Sequence, residues 1–151
     1  MPAINLLHTN SSHSEFHRLS SELEKELILR DGDFADENYE LNKIDFLPDV
    51  VLLFIDGIAI ACGAFREYDP GSAEIKRMYV SPLHRRMNLG SVVLAEIEQL
   101  AKSEKYACCV LETGKNQPEA IAFYLKHGYA QIPCFGRYMD NKNSVCFKKH
   151  L

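Results

Sequence analysis

At 151 residues the chain has the length of one domain and can bury a core without disulfide or metal staples. Hydrophobic residues at 46% and charged residues at 25% exclude a disordered, collagenous or coiled-coil chain. Seventeen basic against 21 acidic residues leave a formal charge of −4, the wrong sign for a dedicated nucleic-acid binder.

Residues 1–151 read as a single domain of α/β alternation. Ile4 to His8 is a short first strand. Ser12-His13-Ser14-Glu15 fits a capping box, and Phe16, Leu19, Leu23 and Leu27 follow at helical spacing up to a stop at Gly32. The polar stretch Asp33 to Leu47 is assigned a second short helix. Val50 to Ile55 and Ile58 to Phe65 are strands joined at Asp56-Gly57, a two-residue hairpin turn whose central positions both need positive φ. After a second turn at Asp69-Pro70-Gly71, Glu74 to Val80 forms the third strand of an antiparallel meander. Alternation puts Glu74, Lys76, Met78 and Val80 on one face of it.

Past Pro82 a basic loop, His84 to Gly90, opens a helix to about Lys102, with Leu89, Val93, Ile97 and Leu100 as its apolar stripe. Ala107 to Leu111 reads as a strand buried on both faces. Pro118 starts another helix that stops at Gly128, and Tyr129 to Ile132 and Ser144 to Lys148 are terminal strands. The unit from Glu74 to Leu111 forces a parallel strand pair by right-handed crossover. A mixed sheet with helices on both faces follows. An exposed edge on the C-terminal strand would allow a homodimer.

Five cysteines, odd in number and without C-x-x-C spacing, read as buried reduced thiols of a cytoplasmic protein. Six scattered histidines lack ligand spacing, so no metal is expected. No signal peptide is visible, and the apolar stretch Val50 to Phe65 is interrupted at Asp56-Gly57, so no membrane partner is expected.

The loop from Arg85 to Ser91 carries the strongest chemical signal. A strand ends, and a helix begins whose first amides lack internal partners and carry the positive end of the dipole, which makes an anion site. Arg85 and Arg86 add charge, Asn88 enters the left-handed region more cheaply than most residues, and Gly90 admits close approach. An ordinary capped helix with surface arginines is the competing reading, and a nucleotide phosphate site is weakened by the lack of G-x-x-x-x-G-K-[ST] and G-x-G-x-x-G.

Glu74-Ile-Lys-Arg-Met-Tyr-Val80, Ser81-Pro82 and Arg85-x-x-x-x-Gly90-Ser91 together resemble the acetyl-CoA core of the GNAT acetyltransferase superfamily. The family pattern is Arg/Gln-x-x-Gly-x-Gly/Ala; Arg85 and Gly90 match its ends, and Asn88 stands where the first glycine usually does. Leu111-Glu112-Thr113-Gly114, then Gln117 to Tyr124 and Gly128-Tyr129, resemble the second signature, with Gln117 where many members have Asn. The tail Ile132 to Tyr138, closing on Ser144-x-Cys146-x-Lys148, is similar to a branch acting on small molecules.

The resemblance implies an N-acetyltransferase that moves the acetyl group of acetyl-CoA to a primary amine of a small molecule, by direct attack in a ternary complex. A non-catalytic acyl-CoA-binding module on the same fold is the alternative. Arg85, Arg86, Met87, Asn88, Leu89, Gly90 and Ser91 would hold the pyrophosphate, Met78 and Val80 the pantetheine by backbone contacts, and Gln117 the thioester end. Tyr124 would give a proton to the leaving thiolate and Glu74 would serve as base. Glu112 and Tyr138 would contact the acceptor. Each has a bland counterpart: core packing for Tyr124 and Tyr138, an exposed strand-end charge or a partner of Lys76 or Arg77 for Glu74, a structural acceptor for Glu112.

Overall fold

The computed structural model describes residues 3–31 and 46–151. The elements in chain order are β1 (Ile4–Thr9), α1 (Ser14–Asp31), β2 (Asp49–Ile55), β3 (Ile58–Asp69), β4 (Ser72–Val80), α2 (Leu89–Ser103), β5 (Cys108–Gly114), α3 (Pro118–Lys126), β6 (Ala130–Ile132) and β7 (Ser144–His150), with single 3-10 turns at Pro82–His84 and Gly136–Tyr138. The seven strands form one sheet in the order β1-β2-β3-β4-β5-β7-β6, antiparallel throughout except for the β4–β5 pair. The predicted stop at Gly32 lies outside the described residues, as does nearly all of the predicted helix from Asp33 to Leu47.

β2 shows why an unbroken apolar run makes a strand here. Val50 and Leu52 pack with Phe16 and Leu19 of α1, while Val51 and Leu53 pack with Val93, Leu94 and Ile97 of α2. The strand is buried on both faces, so its alternation is hidden in the sequence. At the hairpin, Asp56 and Gly57 have φ of 50° and 84°, the pair of positive values the turn demands.

Several boundaries move. α1 begins at Ser14, so Ser12 is no N-cap. Asn10 Oδ1 instead accepts from the Ser12 amide (2.9 Å), and His13 Nδ1 accepts from the Glu15 amide (3.1 Å). Ser11 Oγ accepts from the Leu47 amide (2.8 Å), tying the helix entry to the start of β2. β3 runs on to Asp69 and β5 to Gly114, because each keeps a strand partner beyond its apolar run. β7 lies between β5 and β6, so its outer edge is covered by β6 over Cys146 to Lys148, and the sheet ends in β1 and β6.

The alternation predicted for β4 also fails. Its register to β3 jumps between Cys62–Tyr79 and Ala64–Lys76, so two residues of β4 face one of β3. Arg77 takes φ of 59° at this bulge. Met78 and Val80 are thereby turned to the α2 face with Ile75, away from Tyr79, which packs on the α1 face.

β4 pairs with β5 over only three residues, Ser72 to Glu74 against Cys108 to Val110, while β5 continues along β7 to Gly114. Past the bulge the two parallel strands part. The opening between them is where the site lies.

Candidate active site

The splay opens into a cleft of about 400 Å³. Met78 and Val80 form one wall, residues Arg85 to Ser91 the rim, Gln117, Phe123 and Tyr124 the opposite wall, and Leu23, Glu26, Leu27 and Arg30 of α1 close it from the side. The rim owes its form to two left-handed residues, Arg86 (φ 66°) and Asn88 (φ 61°). No side chain caps α2, and its first intrahelical bond is from the Val92 amide to the Asn88 carbonyl (3.2 Å). The amides of Leu89, Gly90 and Ser91 therefore point outward at the positive end of a 15-residue helix. A Cβ at Gly90 would rest 3.4 Å from Phe123 Cε1 and 3.6 Å from Val80 Cγ2, so the glycine leaves the wall open.

The two arginines differ. Arg85 donates through Nε to the Val80 carbonyl (2.9 Å) and through both terminal nitrogens to Glu26 (2.8 Å each), and it lies over the Tyr79 ring (5.5 Å). That hydrogen-bonded guanidinium holds the Glu26 carboxyl below the usual carboxylate range. Arg86 is exposed on the rim, and Met87 and Asn88 are exposed beside it. The Ser91 hydroxyl is engaged by His127 Nε2 (2.8 Å), whose Nδ1 lies 2.8 Å from the Phe123 carbonyl.

At the inner end, Gln117 Nε2 is buried without a partner among the described residues, while Gln117 Oε1 accepts from Arg30 (3.2 Å). An unsatisfied buried amide costs about 1–3 kcal/mol, and a ligand carbonyl would relieve that. Tyr124 is 6% exposed, and its hydroxyl makes no hydrogen bond among the described residues. Burial alone raises its pKa, so the phenol stays protonated at neutral pH.

Glu74 and Tyr138 lie elsewhere, in a buried polar cluster that a half-buried Glu112 influences electrostatically, and none of the three lines the cleft. Tyr138 donates to Glu74 Oε2 (2.9 Å), Lys76 Nζ donates to the Tyr138 hydroxyl (2.6 Å), and Arg66 reaches Glu74 Oε1 (3.3 Å). Glu112 accepts from the Ser144 hydroxyl (2.5 Å). Glu74 is thus an enclosed ion-pair partner, 2% exposed, and not an exposed strand-end charge.

The pairing of Glu74 with Lys76, its neighbour on the same strand, was legible in the sequence, whereas Arg66, Glu26, Arg30, Phe123 and His127 were passed over, since their roles arise from contacts between distant segments. His84, the first residue of the basic loop, also lines the cleft, with Nδ1 buried and unpartnered among the described residues. A further grouping escaped ligand spacing: His8, Asp49 and Glu104, from three separate segments, bring ligand atoms within 4.8 Å of one another.

Comparison with known proteins places these features in a family. The acetyltransferase (GNAT) family model matches residues 14–129. An Azospirillum brasilense protein named IAA acetyltransferase is 35% identical over 69% of this chain and 70% of its own length. A solved Klebsiella pneumoniae chain named for acyl-CoA N-acyl transfer is 30% identical, with TM-score 0.75, covering 100% of this chain and 98% of that one. A GNAT acetyltransferase from Elizabethkingia anophelis, solved with acetyl-CoA bound, is 17% identical and shares the fold at TM-score 0.70 over 98% of each chain.

Proposed function

Since the chain belongs to the GNAT acetyltransferase family and is an acetyl-CoA-dependent N-acetyltransferase, we propose that residues 1–151 act as one catalytic domain acetylating the primary amine of a small molecule. The observation that carries this reading is the meeting in one cleft of donors without a partner among the described residues: the uncapped start of α2, the Gln117 amide and the Tyr124 hydroxyl. They present donors where an acyl-CoA has acceptors, at the diphosphate, the amide arm and the thioester. A small-molecule acceptor is supported by the name of the Azospirillum brasilense relative.

In this reading the Leu89, Gly90 and Ser91 amides bind the diphosphate, with Arg86 as the exposed counter-charge and Met87 and Asn88 shaping the rim. Arg85 works indirectly, locking α1 against the rim through Glu26. Met78 and Val80 offer backbone groups along the splayed strand, though the Val80 carbonyl is already used by Arg85. Acetyl-CoA supplies an activated acyl group with a thiolate leaving group. Tyr124 gives that thiolate a proton, a role open to it because its hydroxyl has no competing partner among the described residues and burial keeps it protonated.

The cluster of Glu74, Lys76 and Tyr138, with Glu112 beside it, lies outside the cleft lining, so in this reading it serves an acceptor that approaches from beyond that wall and takes up the acceptor's proton. Glu74 is the base, reached through the Tyr138 hydroxyl that donates to it. Release of free CoA thiol, measured over a panel of amino acids, polyamines, aminoglycosides and peptide N-termini, tests the proposal. Turnover of a small amine above the hydrolytic background is the expected result; turnover confined to peptides would replace the acceptor class.

A further inference from the structure

Two of the five cysteines meet. Cys146 of β7 and Cys134, two residues beyond β6, place their sulfurs 2.7 Å apart. A disulfide needs about 2.05 Å, so closing the bond takes a small shift. The chain brings them together because Ile132, the last residue of β6, is the register partner of Cys146, and Cys134 follows two residues later. The other three cysteines have no such neighbour. Cys62 donates to the Arg77 carbonyl (3.3 Å), Cys108 contacts the Ser72 hydroxyl (3.2 Å), and Cys108 and Cys109 are consecutive in β5, so their side chains leave opposite faces of the sheet.

The pair is also asymmetric. Cys146 is fully buried and donates its S–H to Cys134. Cys134 is partly exposed, receives that hydrogen bond, and can donate its own proton to the Ser144 carbonyl (3.6 Å). One sulfur is reachable from solvent; the other waits behind it.

We propose that Cys134 and Cys146 are a peroxide-sensitive pair that closes to an intramolecular disulfide, with Cys134 attacked first and Cys146 resolving. The Cys134 thiolate attacks one oxygen of hydrogen peroxide, forming a sulfenic acid and releasing hydroxide, which takes a proton to become water. The Cys146 sulfur then displaces the sulfenic hydroxyl, which leaves as a second water with the Cys146 proton. Two thiols lose two electrons and two protons, and one peroxide becomes two waters. The ring so closed spans residues 134–146. It contains Phe135, stacked edge-on with Tyr68 and Tyr138, and Tyr138 itself, whose hydroxyl binds Glu74. Oxidation therefore pins the turn that carries Tyr138.

Reduced full-length protein, treated with a small excess of hydrogen peroxide, alkylated, digested and analysed by mass spectrometry, tests this. The expected product is a peptide pair linked through Cys134 and Cys146, with a loss of about 2 Da that dithiothreitol reverses. Unchanged thiols, a link involving Cys62, Cys108 or Cys109, or a link between two chains would overturn it. In Cys146→Ser, shown to be folded by circular dichroism, Cys134 should stall as a sulfenic acid and be captured by dimedone, which wild type should escape. Equal capture in both would remove Cys146 as the resolving thiol. In Cys134→Ser, Cys146 should remain unmodified under the same dose; oxidation there at the wild-type rate would refute the assigned order of attack.

Discussion

At the scale of the residue, the site divides groups already paired from groups still waiting. The Tyr124 hydroxyl has no partner among the described residues to lose, so Tyr124→Phe keeps the packing against Phe123, Tyr129 and Phe147 and should change stability by about 1 kcal/mol or less. Its kcat should fall by roughly 10²–10⁴-fold with the KM for acetyl-CoA nearly unchanged. Steady-state kinetics with an acceptor whose chemical step limits the rate decide this, and full activity would leave Tyr124 as core alone. Lys76 makes a prediction about pH. Burial lowers its ammonium from 10.5 to about 8, against the pull of Glu74. Between about pH 8 and 10.5 the unfolded chain keeps a proton that the folded chain has shed, so this residue's contribution to stability rises with pH through that window. Urea unfolding at about pH 8 and about pH 9.5 should show wild type gaining on Lys76→Met; parallel pH slopes would mean the burial cost has been overcome by its partners.

At the scale of the element, the cleft depends on how β4 and α2 are bent and started. Gly63 faces the β4 bulge, and a Cβ there would collide with Met78 Sδ and come within 2.7 Å of Ile97 Cδ1. Gly63→Ala should cost about 1–3 kcal/mol in urea unfolding and raise the KM for acetyl-CoA, because Met78 must move into the cleft it lines. Asn88 starts α2 from φ of 61°, which glycine tolerates and a β-branched residue resists. Asn88→Gly should preserve or tighten acetyl-CoA binding, and Asn88→Val should weaken it. Equal affinities by calorimetry would show that the rim does not need this backbone. The arginines should separate in the same way: Arg86→Ala raises the KM for acetyl-CoA at unchanged stability, whereas Arg85→Ala also loosens α1 by about 1 kcal/mol or less, since the ion pair is partly exposed.

At the scale of the whole molecule, one continuous sheet holds helices on both faces, and the cleft forms where two of its strands separate. No helix among the described residues is long and apolar enough to cross a membrane. Acetyl-CoA bridging β4, α2 and α3 should stabilise the folded state as a unit, by about 2.7 kcal/mol at 100 times its Kd. Differential scanning fluorimetry on ligand-free protein should show that shift shrinking as salt is raised, because part of the binding is charge on phosphate. A shift insensitive to salt would move the binding energy from the rim to the apolar wall.

The linear chain determined what rests on neighbours in sequence. The meander turns on Asp56-Gly57, the anion loop follows β4, and the Pro118 helix ends at Gly128, because turn chemistry, missing amides and left-handed φ are local properties. The same locality let the motifs from Glu74 to Tyr138 indicate family and activity. Tertiary structure decided what rests on partners far apart in the chain. The bulge at Arg77 is set by the register of β3, and it reverses the faces that alternation assigned to Met78 and Val80. Arg85 could be counted as a charge in the sequence, but its commitment to Glu26 exists only once α1 lies beside the rim. Glu74 acquired its neighbours from β3, β4 and the turn before β7. Burial and pairing belong to the packed molecule, and they sort the charges that composition merely lists.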